Sequence, residues 1–236
     1  MVDKSCALQM ARVAVVTGSN RGLGLATVRD LLLHPDLAGA TVYLTARREE
    51  QGLAALATLA KEVGEEAADR LRFHTLDITE DSSVAALTEH LRAAHGGIDV
   101  LVHNAGLAFP NASTVPFPEQ ARRTLDTNFW GTRRAARALQ PLLRPGARVV
   151  FVSSNCGHLS KISGAEPAAA ALRRQMAATT LTDAALCCLV EAFMEAAAAG
   201  SHVAQGWPDS AYKVGKSHVW QWPNSITPKT ASVNVS

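Results

Sequence analysis

Tyr212 and Lys216 stand four residues apart, a spacing that on a helix places a phenol and an ammonium on one face. A free phenol, with a pKa near ~10, exchanges protons poorly at neutral pH. A neighbouring ammonium stabilises the phenolate, so the pair is expected to bring Tyr212 closer to the range where proton transfer is useful. Taken alone, the same two residues also read as an exposed helical pair. The second chemical feature is Thr17-Gly18-Ser19-Asn20-Arg21-Gly22-Leu23-Gly24, set between the apolar run Val13–Val16 and the helix-like stretch Leu25–Leu33. Glycines permit a tight turn and close approach of a ligand, and a helix N-terminus offers free N–H groups and the positive end of a dipole. Strand, glycine turn and helix in that order can cradle a phosphate. The spacing G-x-x-x-G-x-G is one residue longer at its front than the usual dinucleotide fingerprint, and a bare strand-to-helix connection would look the same.

A third feature bears on which nucleotide would fit. Folds that bind NAD place an Asp or Glu at the end of the second strand to hold the ribose 2′-hydroxyl. Here that place reads Thr45-Ala46-Arg47-Arg48, cations where the acid would stand. Arg47 can fork onto a 2′-phosphate, with Arg21 approaching from the glycine turn, which favours NADP(H) over NAD(H). The competing reading makes Arg47, Arg48, Glu49 and Glu50 a solvated helix start.

These groups need a scaffold. Apolar runs rich in β-branched residues recur at Val13–Val16, Thr41–Leu44, Leu71–Leu76, Val100–Val102 and Val149–Val152. Helix-compatible segments separate them at Leu23–Leu33, Glu49–Val63, Ser82–Ala94 and Glu119–Leu143, the third capped by Asp81 or Ser82 and the fourth ended by Pro141. Short apolar strands alternating with helices predict an α/β fold: a doubly wound parallel sheet of Rossmann type, covered on both faces, with ligands beyond the carboxyl ends of its strands. The regularity stops after Val152. Residues 157–209 hold two alanine-rich helical stretches, Pro167–Met176 and Thr182–Ala199, and no obvious strand. In residues 217–236, Trp220 and Trp222 precede Pro223 and Pro228. The end, Ala231 to Val235, alternates weakly enough for a short strand, although a frayed terminus is the preferred reading.

With 236 residues, a single domain is expected. A net charge of +2 gives no reason to invoke nucleic acid or a membrane surface. The N-terminus lacks a signal-like apolar core, and the most apolar later stretch, Ala184 to Gly200, is interrupted by Glu191 and Glu195. The cysteines, Cys6, Cys156, Cys187 and Cys188, form no C-x-x-C pair, so reduced thiols and a cytoplasmic location are expected. The histidines lack metal-site spacing, and no metal is expected. Cys156 with His158 is a weak case for a thiol nucleophile. Gly215-Lys216-Ser217 resembles the end of a P-loop, but Ser210 stands where that motif needs glycine, which excludes ATP binding by this route.

Taken in order, Thr17-Gly18-x-x-x-Gly22-x-Gly24, Asp77, His103-Asn104-Ala105-Gly106, Asn128, Ser154 and Tyr212-x-x-x-Lys216 resemble the short-chain dehydrogenase/reductase family. Stretches such as Thr127-Asn128-Phe129-Trp130-Gly131-Thr132 and Gly206-Trp207-Pro208 are similar to its monomeric NADPH-dependent carbonyl reductases. The likeness runs from about residue 10 to 216. It implies hydride transfer from NADPH to aldehydes, ketones or quinones. Tyr212 would be the general acid, Lys216 its modulator and a ribose ligand, Ser154 the donor to the substrate carbonyl (with Ser153 as rival), and Asn128 part of a proton relay, or simply a helix asparagine bonded to backbone. The cofactor would lie against Gly18, Asn20, Arg21, Gly22, Leu23, Gly24, Arg47, Asp77, Ile78, Asn104, Tyr212 and Lys216. His103 replaces the asparagine more usual in that turn. The long gap from Ser154 to Tyr212 matches the subgroup's helical insertion, which implies a monomer.

The resemblance fails beyond the Tyr/Lys helix, where the family adds strands, a Pro-Gly turn and much of the substrate pocket. A truncated or alternatively spliced form is therefore expected, with its C-terminal strands missing and Val149–Val152 left as an exposed edge. Two functions follow: an active NADPH-dependent reductase, or a nucleotide-binding but catalytically weak form with a non-enzymatic role.

Overall fold

In the computed structural model, residues 11–217 and 230–233 are described. They form a parallel sheet of order β3-β2-β1-β4-β5-β6, from β1 (Val13–Val16), β2 (Thr41–Ala46), β3 (Leu71–Thr75), β4 (Ile98–His103), β5 (Leu143–Val152) and β6 (Thr230–Val233). The order reverses between β1 and β4, which makes a crevice at their carboxyl ends. Successive residues of a strand face opposite sides, and the apolar runs feed both. Val13 and Val15 join a core with Leu87, Leu91, Leu125 and Phe129, while Ala14 and Val16 join one with Val28, Leu32, Leu44 and Leu59. That two-sided demand is why these strands read as continuous hydrophobic runs rather than alternating ones.

Three helices follow the sequence closely: α1 (Gly22–Leu33), α2 (Glu49–Val63) and, after the short α3 (Glu65–Ala68), α4 (Asp81–His95). The expected side-chain cap on α4 is absent. Glu80 takes the cap position without a side-chain bond; Asp81 and Ser82 already lie inside the helix, where Asp81 pairs with Arg134. The long helix expected over Glu119–Leu143 is instead α5 (Phe117–Leu125), a π-helical turn over Asp126–Gly131, α6 (Thr132–Leu139) and a 3₁₀ turn over Gln140–Leu142. Pro141 lies in that last turn, and Leu143 already belongs to β5.

Between β5 and the last described helix come α7 (Ala168–Ala177) and α8 (Asp183–Ala198). Along α8, Leu186, Leu189, Val190, Phe193, Ala196 and Ala197 are buried, the three-and-four spacing of one apolar face. Arg133 and Arg137 of α6 both hold Asp183 at its start. Helix α9 (Ala211–Ser217) then packs against α5 and the turn after β5. Trp220, Trp222, Pro223 and Pro228 lie outside the described residues.

The C-terminal segment corrects an expectation. Thr230–Val233 pairs in parallel with Val149–Val152, so β5 is covered and the sheet does not end there. An unpaired β5 would present a row of open N–H and C=O groups, and even four residues of strand take up that row. Of the final stretch, Thr230–Val233 alone is described.

Candidate active site

The glycine turn is held by side chains of the strands it joins. Thr17 Oγ1 accepts from Asn104 N and Ala105 N, both at 3.0 Å, and Asn104 Nδ2 donates to Thr17 O at 3.0 Å and Gly18 O at 2.9 Å. Thr45 Oγ1 accepts from Gly18 N at 3.1 Å. Thr17, Thr45 and Ser19, whose Oγ accepts from Thr45 N at 3.0 Å, were not among the expected site residues; hydroxyl residues at strand ends carry no motif of their own. Gly18 and Gly22 have φ of +62° and +56°, which L side chains rarely adopt. At Gly24 the constraint is space: a Cβ would lie 2.4 Å from Asn104 Nδ2 and 2.9 Å from Gly18 O.

The residues present fit an anionic dinucleotide. Helix α1 begins after Arg21 with no side-chain cap and no acid in its first turn, so its leading N–H groups face outward without a protein acceptor. Asn20 is half-buried in this turn, while Arg21, Leu23 and Arg47 are exposed around it, and no carboxylate stands at the end of β2. Asp77 follows β3, its Oδ1 accepting from Thr79 N at 2.9 Å and Thr79 Oγ1 at 2.7 Å. Ile78 is buried, its side chain filling the core beside Gly131 and its carbonyl accepting from Arg134 Nη1 at 3.0 Å.

The second half of the site lies at the ends of β4 and β5. The Ser154 hydroxyl lies close enough to Tyr212 to act on its phenol, and Ser154 Oγ accepts from Cys156 N at 3.2 Å. The rival Ser153 is buried and turned away, its hydroxyl 3.4 Å from Lys216 O. Lys216 is only 7% exposed, and its Nζ donates to Val152 O at 2.8 Å. Burial holds its pKa down to about 8. Asn128 lies within the π-helical turn, a feature frequent at functional sites. Its side chain is committed to backbone, with Oδ1 accepting from Leu107 N at 2.7 Å and Nδ2 donating to Leu107 O at 2.8 Å. A Cβ on Gly106 would lie 3.3 Å from Asn128 Oδ1 and 3.8 Å from Lys216 Nζ, so glycine there keeps the gap between them open.

The expected lowering of Tyr212 by Lys216 is not what prevails. Burial pushes the phenol above its ordinary value, partly offset by Ser154, while Cys156 adds to the rise. Lys216 Nζ lies 5.8 Å from the Tyr212 ring centroid and spends its bond on Val152 O, so desolvation outweighs charge attraction. His103 does not supply the turn's bonding. It is buried, stacked on Phe151 with centroids 4.6 Å apart, and burial holds its pKa down to about 3. The turn is bonded by Asn104 and Thr17 instead.

Among the described residues, no cluster of His, Cys, Asp or Glu could hold a metal ion, and no helix is long and apolar enough to cross a membrane. The sequence model of the family described as short chain dehydrogenase matches residues 12–182. Carbonyl reductase [NADPH] 1 of Oryctolagus cuniculus is 44% identical over 209 residues, 88% of this chain and 71% of that protein. The Homo sapiens protein of the same name is 42% identical over 204 residues, covering 86% and 69%. Among solved structures, menthone neomenthol reductase from Mentha piperita superposes with a TM-score of 0.81 at 28% identity, covering 93% of this chain and 87% of that one. Salutaridine reductase from Papaver somniferum gives 0.76 at 26% identity, covering 89% and 80%. With this match in sequence and fold, the chain belongs to the short-chain dehydrogenase/reductase family.

Proposed function

We propose that this chain reduces small-molecule aldehydes, ketones or quinones to alcohols with NADPH. The observation that carries the reading is the meeting of Ser154, Tyr212 and the buried ammonium of Lys216 at the carboxyl end of the sheet, the end that also carries the glycine turn. NADPH, when bound, supplies the hydride. Gly18, Gly22 and Gly24 leave room for its pyrophosphate at the start of α1, and Arg21 and Arg47 hold the 2′-phosphate. Asn20, Leu23, Asp77, Ile78 and Asn104 line the rest of its path.

Tyr212 is the proton donor. Its hydroxyl is protonated through the neutral range, as a donor must be, while burial, by raising the pKa, makes it a weaker acid that relies on Ser154 and Lys216 to stabilise the product side. Ser154 donates to the same substrate oxygen as negative charge develops there. Lys216 supports the phenolate that remains and holds the nicotinamide ribose. The open space at Gly106 leaves room for a proton route to Lys216, with Asn128 positioning that loop through its two bonds to the Leu107 backbone. The domain is read as one NADP-binding unit, with residues 157–209 as a helical insertion and a tail at 217–236; the chain is read as a cytoplasmic monomer.

NADPH oxidation with menadione, measured for the native chain and Tyr212→Phe, tests the assignment. Loss of the general acid is expected to cost about 10²–10⁴ in kcat. Equal rates for the two would sink the mechanism. A thermal shift with NADPH but no turnover by the native chain would favour the non-enzymatic alternative.

A further inference from the structure

A cavity of about 240 Å3 opens beside Tyr212, with Phe109 and Phe117 among its walls and Gln120 and Asp209 among its polar groups. Asn111, Thr124 and Ser210 also line it, and Gln120 Nε2 spends one of its two hydrogens on Val115 O at 2.7 Å. The Asp209 carboxylate is 75% exposed and lies 3.2 Å from His202 Nε2. A carboxylate only accepts, so Nε2 carries the hydrogen. His202 Nδ1 is buried with no partner. The ring meets only one edge of the Asp209 carboxylate, which at 75% exposure keeps room for a second partner.

The walls supply apolar bulk and not charge preference: the Phe109 ring already carries the Arg123 guanidinium at 5.3 Å, itself paired with Glu119 at 3.4 Å, and Phe117 stacks on His202 at 4.3 Å. Because Tyr212 lines this cavity, a substrate with its carbonyl at the phenol can extend its distal arm between the two rings toward Asp209.

We infer that this cavity is the subsite for an ammonium-bearing arm of the carbonyl substrate, and that Asp209 sets the preference for cationic over anionic substrates. The inference rests on the reductase reading above. The walls take the aryl or alkyl body of the arm, and Asp209 faces its charged end.

Two benzaldehydes of nearly equal shape separate charge from bulk: 4-(trimethylammonio)benzaldehyde and 4-tert-butylbenzaldehyde, with 4-carboxybenzaldehyde as the anion. Asp209→Asn keeps an acceptor for His202 while removing the charge. The ratio of kcat/KM for trimethylammonio over tert-butyl is expected to fall about tenfold in Asp209→Asn, through KM rather than kcat. The carboxy substrate is expected to gain by a similar factor, and both effects to shrink between about 0.05 and 0.5 M salt. Calorimetry with benzyltrimethylammonium, on the full chain without turnover, gives a parallel readout. Unchanged ratios in an active Asp209→Asn enzyme would overturn the subsite and leave the reductase intact. Cation binding that depends on Asp209, in a chain that reduces none of the three aldehydes, would support the subsite and reject the reductase. Absence of both would remove both.

Discussion

Lys216 makes a quantitative test of the site possible without any turnover. Burial lowers its pKa from 10.5 to about 8, so the fold holds the ammonium at a cost. Between pH 8 and 10.5 the unfolded chain binds the proton that the folded chain has lost, and stability therefore rises with pH across that window. Below pH 8 both states are protonated and the full penalty applies: about 3 kcal/mol, from the two pKa values. Of this, about 2 kcal/mol is recovered between pH 7 and 9.5. With a urea m value of about 2–3 kcal/mol/M, the unfolding midpoint should rise by roughly 0.7–1 M over the same interval. Lys216→Met removes the titration. It also leaves Val152 O without its donor, a loss of about 1–3 kcal/mol that does not depend on pH. The measurement is the urea midpoint of both proteins at half-unit steps from pH 7 to 9.5, and the informative quantity is their difference. It should change in favour of the native chain by about 2 kcal/mol as pH rises. Parallel curves would mean that Lys216 has an ordinary pKa, and the burial argument would be refuted.

Other expectations concern single positions. Arg47→Gln should raise KM for NADPH about 10–100-fold and leave KM for NADH nearly unchanged, since one forked phosphate contact is at stake; equal effects on both would return Arg47 to a solvated helix start. Gly24→Ala places a methyl 2.4 Å from Asn104 Nδ2, so a loss of NADPH affinity and of at least about 1–3 kcal/mol in urea stability is expected. Native-state hydrogen exchange should find the amides of Val149–Val152 protected, and deletion of residues 230–236 should speed exchange in alternate amides of that strand and promote aggregation. Equal exchange with and without those residues would contradict the β5–β6 pairing.

Much of the scaffold was legible because it follows from local rules. A strand buried on both faces must be apolar throughout, so Val13–Val16 and Val149–Val152 announce themselves. Gly18 and Gly22 mark backbone that only glycine adopts readily, and the three-and-four spacing of α8 marks a helix with one buried face. The strand at Thr230–Val233 was harder to read. It is four residues long, and what makes it a strand is the open edge of β5, which lies some eighty residues earlier in the chain. The hydroxyls of Thr17 and Thr45 were missed for a related reason. Their partners, Asn104 and Gly18, come from another strand or from the far end of a helix.

Sequence alone named the candidate reacting groups and their order: Tyr212 and Lys216 on one helical face, Ser154 at a strand end, cations and no acid after β2. The charge state of those groups was a different matter. Spacing suggested that the ammonium would lower the phenol; the tertiary structure buries both, spends Lys216 on Val152 O, and raises Tyr212 instead. Proximity along a helix is a local property that sequence carries. Desolvation depends on everything packed around a group, and only the folded chain decides it.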